Sequence, residues 1–358
     1  MEGCALMTKR RFAQRGQGIQ ADPRIQPTEP GPAGASTIVH IGYHKTASTW
    51  LQVCVFPYLS AVRYGDPMLR YLLADLATAP AESFFAAPFE RVFRQSQGGA
   101  ALPILLSDEG VSGSLWDDYG AGPRNAERLA SVLPNSRILV LVRRQDDMLR
   151  SIHGQYVNEG GTRSLGDFLS GQKIEGSRLS LEHLEYDKLV RLYVDLFGRE
   201  RVRVMPYEYL RAQPAKFLHE MCAFVGSALS GRVSARRQNR SLTAPSLWLL
   251  RRWNRLFRQS RFNQQPIGRA LPGGRRARNL LQRRIDPLLR RLAGNLVSTK
   301  EDRTLEAIAD GFSASNRRLQ QFCAYSLTDW GYPLPRTLAP AAPDVRVLTR
   351  HFEPAAVD

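Results

Sequence analysis

The chain has 358 residues, 43% hydrophobic and 23% charged, enough to bury a large core in one α/β domain with insertions or in two smaller domains. Its formal charge of +17 points to an anionic partner: nucleic acid, acidic lipid, or a small ligand rich in phosphate and sulfate. No window holds the roughly eighteen uninterrupted apolar residues of a membrane span, and the first 35 residues lack the apolar stretch of a secretory signal, so the expectation is a cytoplasmic enzyme. Cys4, Cys54, Cys222 and Cys323 are widely spaced with no histidine cluster, which suggests reduced thiols and supports neither a disulfide framework nor a zinc site.

Residues 1–35 combine a basic cluster, Lys9-Arg10-Arg11, with Pro23, Pro27, Pro30 and Pro32, and read as a disordered leader, or in part as a mis-assigned start upstream of Met7. The domain proper is expected over 36–335, with a loose Pro- and Ala-rich tail over 336–358. It opens with an apolar strand beginning at Ile38 that runs into Gly42-Tyr43-His44-Lys45-Thr46-Ala47-Ser48-Thr49-Trp50, a hydroxyl-rich turn opening a helix. Helix-start N–H groups lack intrahelical acceptors and carry partial positive charge, so an anion is favoured there, and Lys45 adds a full charge. The turn is not a GxxxxGK[ST] loop, because His44 and not glycine precedes Lys45.

Further strands are expected at Leu102 to Leu106, ending in Ser107-Asp108-Glu109-Gly110, and at Arg137 to Val142, ending in Arg143-Arg144-Gln145-Asp146-Asp147 before a helix through Tyr156. Another spans Arg201 to Met205 and ends in Pro206-Tyr207-Glu208, followed by a helix that starts near Pro214 and carries Phe217, Leu218, Met221, Phe224 and Val225 at helical spacing. Strands alternating with helices predict an α/β fold with a parallel central sheet flanked by helices, and ligands in such folds collect at the carboxyl ends of the strands. Residues 247–292 read as an Arg-rich helical insertion or lid with Trp248, Trp253, Leu256 and Phe257. Within it, 251–291 is either a solvated helical face or a surface for a membrane periphery or an acidic glycan. A last helix is expected from Leu305 to Leu319, ahead of Trp330-Gly331-Tyr332-Pro333.

Three of these strand endings resemble the sulfotransferases that use 3′-phosphoadenosine 5′-phosphosulfate (PAPS), in particular bacterial and carbohydrate members with a P-loop-type fold. His44-Lys45-Thr46-Ala47-Ser48-Thr49 is similar to their 5′-phosphosulfate loop, with Ala47 where the family often has glycine. Arg143 at a strand end, with Ser151 eight residues on in the next helix, looks like the 3′-phosphate element; Asp146-Asp147 marks the helix start the spacing requires. Leu105-Leu106-Ser107-Asp108-Glu109 is similar to the strand ending that carries the family's base. Weaker likeness runs through Val204 to Glu208, Asn239 to Leu242, Asn316 and Gly331 to Pro333; the stretch from Arg237 to Ser241 would cover the adenosine or its 3′-phosphate.

The resemblance implies PAPS as co-substrate with no metal, Lys45 and Glu109 as catalytic residues, and Lys45, Thr46, Ala47, Ser48, Thr49, Trp50, Arg143 and Ser151 as cofactor-binding residues. Trp50 would stack on adenine or serve the core. The implied acceptor is a hydroxyl, of a saccharide or glycolipid. Sulfuryl transfer needs a base for the acceptor proton and a cation beside the leaving oxygen, and a carboxylate and an ammonium supply them. His44 and His153 are rival bases, and Arg143 has a bland alternative as the ion-pair partner of Asp146 or Asp147. Two other function classes stand as alternatives: a nucleotide-dependent kinase using the same cradle, disfavoured by the missing glycine, and, from the arginine-rich stretch, a nucleic-acid-binding protein, whose affinity would fall steeply with salt.

Overall fold

A computed structural model of the chain describes residues 18–19, 37–80, 83–97, 102–116, 120–170, 174, 177, 179–231, 233–234, 242–268, 284–288 and 299–335. The expected leader lies outside these residues except for 18–19, and the expected tail lies wholly outside them. Seven strands are described: β1 (Gly18–Ile19), β2 (Thr37–His40), β3 (Arg63–Tyr64), β4 (Ile104–Ser107), β5 (Arg137–Val142), β6 (Val202–Pro206) and β7 (Val233–Ser234). β1 and β7 pair antiparallel as a separate ribbon, and the other five form a parallel sheet in the order β3-β4-β2-β5-β6.

Continuous apolar runs suit a sheet covered on both faces, and every residue of β2, β4 and β5 is buried. Because side chains alternate across a strand, Val39, Leu106, Val140 and Val204 enter one core while Ile38, Leu105, Leu139, Leu141 and Met205 enter the other. Register aligns the strand ends: His40 sits opposite Ser107 on β4 and opposite Leu139 on β5. The chain leaves β2 for β3 and β4 on one side, then crosses to β5 and β6 on the other. The carboxyl end of β2 is therefore the topological switch point, where such sheets hold their ligands.

Helical segments follow each strand from β2 onward: α1 (48–58), α2 (Pro67–Thr78), α3 (Ala86–Gln97), α4 (Ala121–Val132), α5 (Gln145–Asn158), α6 (Leu165–Leu169), α7 (Tyr186–Phe197), α8 (Tyr207–Ala212), α9 (Pro214–Val225), α10 (Ala244–Phe257), α11 (Thr299–Gly311) and α12 (Ser313–Gln320). The expected α/β class is the observed one. The strand expected at Leu102 begins instead at Ile104, since the Pro103 carbonyl accepts from Arg63 N–H of the edge strand and Leu102 stays exposed. Edge strand β3, two residues long, has too little pattern to read from sequence. The single helix expected from Leu305 to Leu319 is two, α11 and α12, broken at Phe312, whose buried ring turns the chain into the core.

The Glu109 loop is held from below by α4. Asn125 Nδ2 donates to the Ala77 and Gly110 carbonyls at 3.2 and 3.4 Å, and the buried Arg128 guanidinium caps the end of α2 through the carbonyls of Leu76, Ala79 and Pro80 at 2.8–2.9 Å. Removing a buried charged donor strands its acceptors, so Arg128→Met is expected to lower unfolding free energy by about 2–3 kcal/mol in urea titrations, with the curve's slope unchanged.

Candidate active site

The carboxyl edge of the sheet gathers Lys45, Glu109 and Arg143 from three adjacent strand ends, those of β2, β4 and β5. After β2 the chain stays tied to β5 through Ile41 N–H to Leu139 O and Tyr43 N–H to Leu141 O, both 3.0 Å, and then turns. Lys45 (φ 68°) and Ala47 (φ 71°) are the non-glycine residues with positive φ among the described residues. Thr46 between them sends its hydroxyl to Tyr43 O at 2.5 Å. Left-handed residues alternating with their neighbours turn successive N–H groups into an anion-binding concavity, and α1 begins directly behind it at Ser48. Glycine is the residue this geometry favours at 47, so Ala47 adopts it at a steric cost. Gly42 is needed for a different reason: a Cβ there would lie 2.6 Å from His40 Nε2.

Arg143 reaches into this turn. Its Nη1 donates to the Lys45 carbonyl at 3.0 Å, and its guanidinium stacks 4.8 Å over the Tyr207 ring at the start of α8. The acidic pair does not claim it: Arg144 takes Asp146 at 2.6 Å and lies 3.8 Å from Asp147. Arg143 Nε and Ser48 Oγ are both buried without a hydrogen-bond partner. Lys45 Nζ donates to Gln155 Oε1 of α5 at 3.1 Å, and Gln155 is turned that way by its amide meeting Glu159. Ser151 lies one turn before Gln155 on the same side of α5, so the helix face carrying Ser151 is the one that meets the cradle.

Glu109 follows β4 in a short turn whose start is fixed by Asp108, which accepts from Gly110 N–H at 2.7 Å. Gln52 Nε2, from α1, donates to Glu109 Oε2 at 3.2 Å and to Ser107 Oγ at 3.1 Å, and Ser107 Oγ lies 2.8 Å from His40 Nδ1. Burial lowers the His40 imidazole to about 3, so it is neutral and this buried chain carries no charge until it reaches Glu109. His44 Nε2 donates to the Gly113 carbonyl at 3.1 Å, which leaves Nδ1 as its basic nitrogen.

A second clamp sets the base of α5. Glu208 accepts from Arg144 N–H at 3.1 Å and from Tyr332 O–H at 3.0 Å, while Gln145 donates to Asn316 Oδ1 at 2.8 Å and Asn316 to Pro333 O at 3.1 Å. Desolvation raises the Glu208 carboxyl above its ordinary value.

No protein-family model and no curated protein matches the chain. It is similar to solved sulfotransferases. A sulfotransferase from Alicyclobacillus acidocaldarius matches at 19% identity over 60% of this chain and 89% of that one, with a TM-score of 0.42. Mouse sulfotransferase SULT7A1, solved as a complex with PAP, matches at 14% over 81% and 90%, TM-score 0.37. The sulfotransferase domain from the curacin biosynthetic pathway matches at 13% over 84% and 99%, TM-score 0.37. At such identities and scores the likeness assigns no residue a role, and the site is read from this chain's own geometry.

The structure also shows where two residues left open by the sequence point. Trp50 packs in the core with Ile38, Leu51 and Phe56, 8% exposed, as the core reading of this residue expects. His153 is not at the cradle: its Nε2 is bonded to Arg163 O at 3.1 Å and its ring packs against Phe168 and Tyr156. The expected contact from Arg237 to Ser241 lies outside the described residues. Sequence reasoning missed Gln52, Gln155 and His40; the first two sit one helical turn after Ser48 and Ser151, a spacing that could have flagged them.

Ala47→Gly is expected to raise unfolding free energy by about 1 kcal/mol, since the left-handed penalty on a Cβ exceeds glycine's extra unfolded-state entropy. Burial lowers His153 from 6.5 to about 4. Within that window the unfolded imidazole binds a proton the folded one refuses, so stability falls as pH drops from about 6.5 to about 4. His153→Gln should make that slope shallower in unfolding titrations at stepped pH, with the share of buried His40 remaining.

Proposed function

We propose that this protein is a PAPS-dependent sulfotransferase that moves a sulfuryl group onto a hydroxyl of a saccharide or glycolipid. The observation that carries the reading is the convergence, at one switch point, of a left-handed anion cradle with Lys45, an unpartnered arginine nitrogen at the next strand end, and a carboxylate at the strand end on the other side. Two anion sites plus a base match a nucleotide carrying a 3′-phosphate and an activated 5′ group. The N–H groups of Thr46, Ala47, Ser48 and Thr49, with the Ser48 hydroxyl, would hold the 5′-phosphosulfate; Arg143 and Ser151 would hold the 3′-phosphate. The cofactor supplies the activated sulfuryl group.

Glu109 takes the proton of the acceptor hydroxyl as the new O–S bond forms, and its carboxylate is aimed by Gln52. Lys45 stabilises the negative charge that develops on the bridging oxygen as the old S–O bond breaks, and Gln155 keeps its ammonium at the cradle mouth. The products are a sulfate ester and adenosine 3′,5′-bisphosphate. His44 is the remaining rival for the base, because its Nε2–H is committed to Gly113 and Nδ1 is the basic atom.

Adenosine 3′,5′-bisphosphate is expected to raise the melting temperature of the wild type. Arg143→Ala should lose most of that stabilisation while Glu109→Gln keeps it. With radiolabelled PAPS and fractionated cell extract as acceptor source, Lys45→Ala and Glu109→Gln should each lower product labelling on the order of a hundredfold or more. Full labelling by Glu109→Gln together with loss in His44→Asn would move the base to His44. Turnover of ATP with magnesium and none of PAPS would replace the reading with a kinase.

A further inference from the structure

α10 buries Leu250 and packs Leu247 against the core, yet it keeps large apolar side chains on its outward side as well. Ordinarily the apolar stripe of a surface helix faces the core and the polar face meets water. Here the buried positions are Ser246, Leu250 and Asn254, and the helix is pinned by polar groups. Asn254 Nδ2 donates to the Val157 and Gly161 carbonyls at 2.8 and 2.9 Å, Arg251 Nε to Thr162 O at 3.2 Å, and Arg258 Nη1 to Asn158 O at 2.7 Å. These bonds satisfy the carbonyls at the end of α5 and fix the rotation of the helix, so its other face cannot turn inward.

That other face is apolar and cationic. Trp248 is 49% exposed, Leu249 37% and Leu256 40%, with exposed Arg252 and Arg255 between them. Arg252 stacks 5.1 Å over the Trp248 ring, one turn away. The following segment adds Ile267, 70% exposed and anchored beside the helix by Ile267 N–H to Arg255 O and Gly268 N–H to Leu256 O at 3.1 and 2.8 Å. The sequence has no Asp or Glu between Glu220 and Asp286, so no carboxylate from this region neutralises the arginines.

We propose that the outward face of α10, with Ile267, docks on an anionic lipid bilayer. The charge complementarity is one-sided and the shape suits an interface: tryptophan and leucine enter the headgroup and acyl boundary while arginines reach the phosphates. A nucleic acid or a sulfated glycan would use the arginines but give Leu249, Leu256 and Ile267 nothing to enter. Docking concerns only this face and holds whether or not the transfer chemistry above is right.

The test is flotation of the full-length protein with vesicles of phosphatidylcholine alone and of phosphatidylcholine with phosphatidylglycerol, beside heparin and a DNA duplex. The wild type should float with the anionic vesicles and not the neutral ones. Leu249→Ser with Leu256→Ser and Ile267→Ser, all exposed and outside the site, should weaken binding on the order of tenfold or more, as should Arg252→Glu with Arg255→Glu. Trp248→Phe should retain it. Failure of the wild type to float would overturn the proposal, as would unchanged flotation of the serine variant. Heparin or duplex binding tighter than vesicle binding and untouched by the serine substitutions would assign the face to a polyanion instead.

Discussion

The chain has seven residues, 41 to 47, in which to leave β2 and begin a helix whose first N–H groups face back over the strand end. Two left-handed turns at Lys45 and Ala47 accomplish this, at a cost of about 1–2 kcal/mol for each residue that carries a Cβ. Strain of that kind persists only where the surroundings over-determine it. Here they do: Thr46 is buried and bonded to Tyr43 O, the Lys45 carbonyl is held by Arg143, and Tyr43 N–H is tied to β5. The anion cradle is a product of this constraint, and so is the position of Lys45.

Arg143 links the cradle to the rest of the molecule. Its own carbonyl accepts from Tyr186 O–H at 2.8 Å, its guanidinium rests on Tyr207, and its neighbour Arg144 absorbs the acidic pair that would otherwise compete for it. Glu208, Tyr332, Gln145 and Asn316 then lock the first turn of α5 to elements up to 188 residues away in the chain, as Arg144 bonds Glu208 and Glu208 bonds Tyr332. Buried networks of this sort hold a geometry because every missing partner would cost a desolvated polar group. The α5 face bearing Ser151 and Gln155 inherits its orientation from that lock. The far end of the same helix receives α10, so the helix that faces the cradle also carries the one that exposes Trp248, Leu249 and Leu256.

The α/β class, the strand ends that matter and the residue types at them are all legible in the sequence. Buried parallel strands read as apolar runs, and the polar breaks after Ile41, Leu106 and Val142 are visible because the chain must become hydrophilic where it leaves the core. The sequence showed that Lys45, Glu109 and Arg143 each follow such a run. It also preserved the ambiguity of Trp50 and His153, because an aromatic or imidazole on a helix looks the same in sequence whichever way it points. Tertiary packing resolves where they point, sending the Trp50 indole into the core and the His153 ring among Tyr156 and Phe168. It alone paired Gln52 with Glu109, Gln155 with Lys45, and Arg144 rather than Arg143 with the acidic residues. The reason is physical: local pattern fixes which residues are buried, whereas partnership depends on strand order and helix rotation, which are set by contacts between segments far apart in the chain.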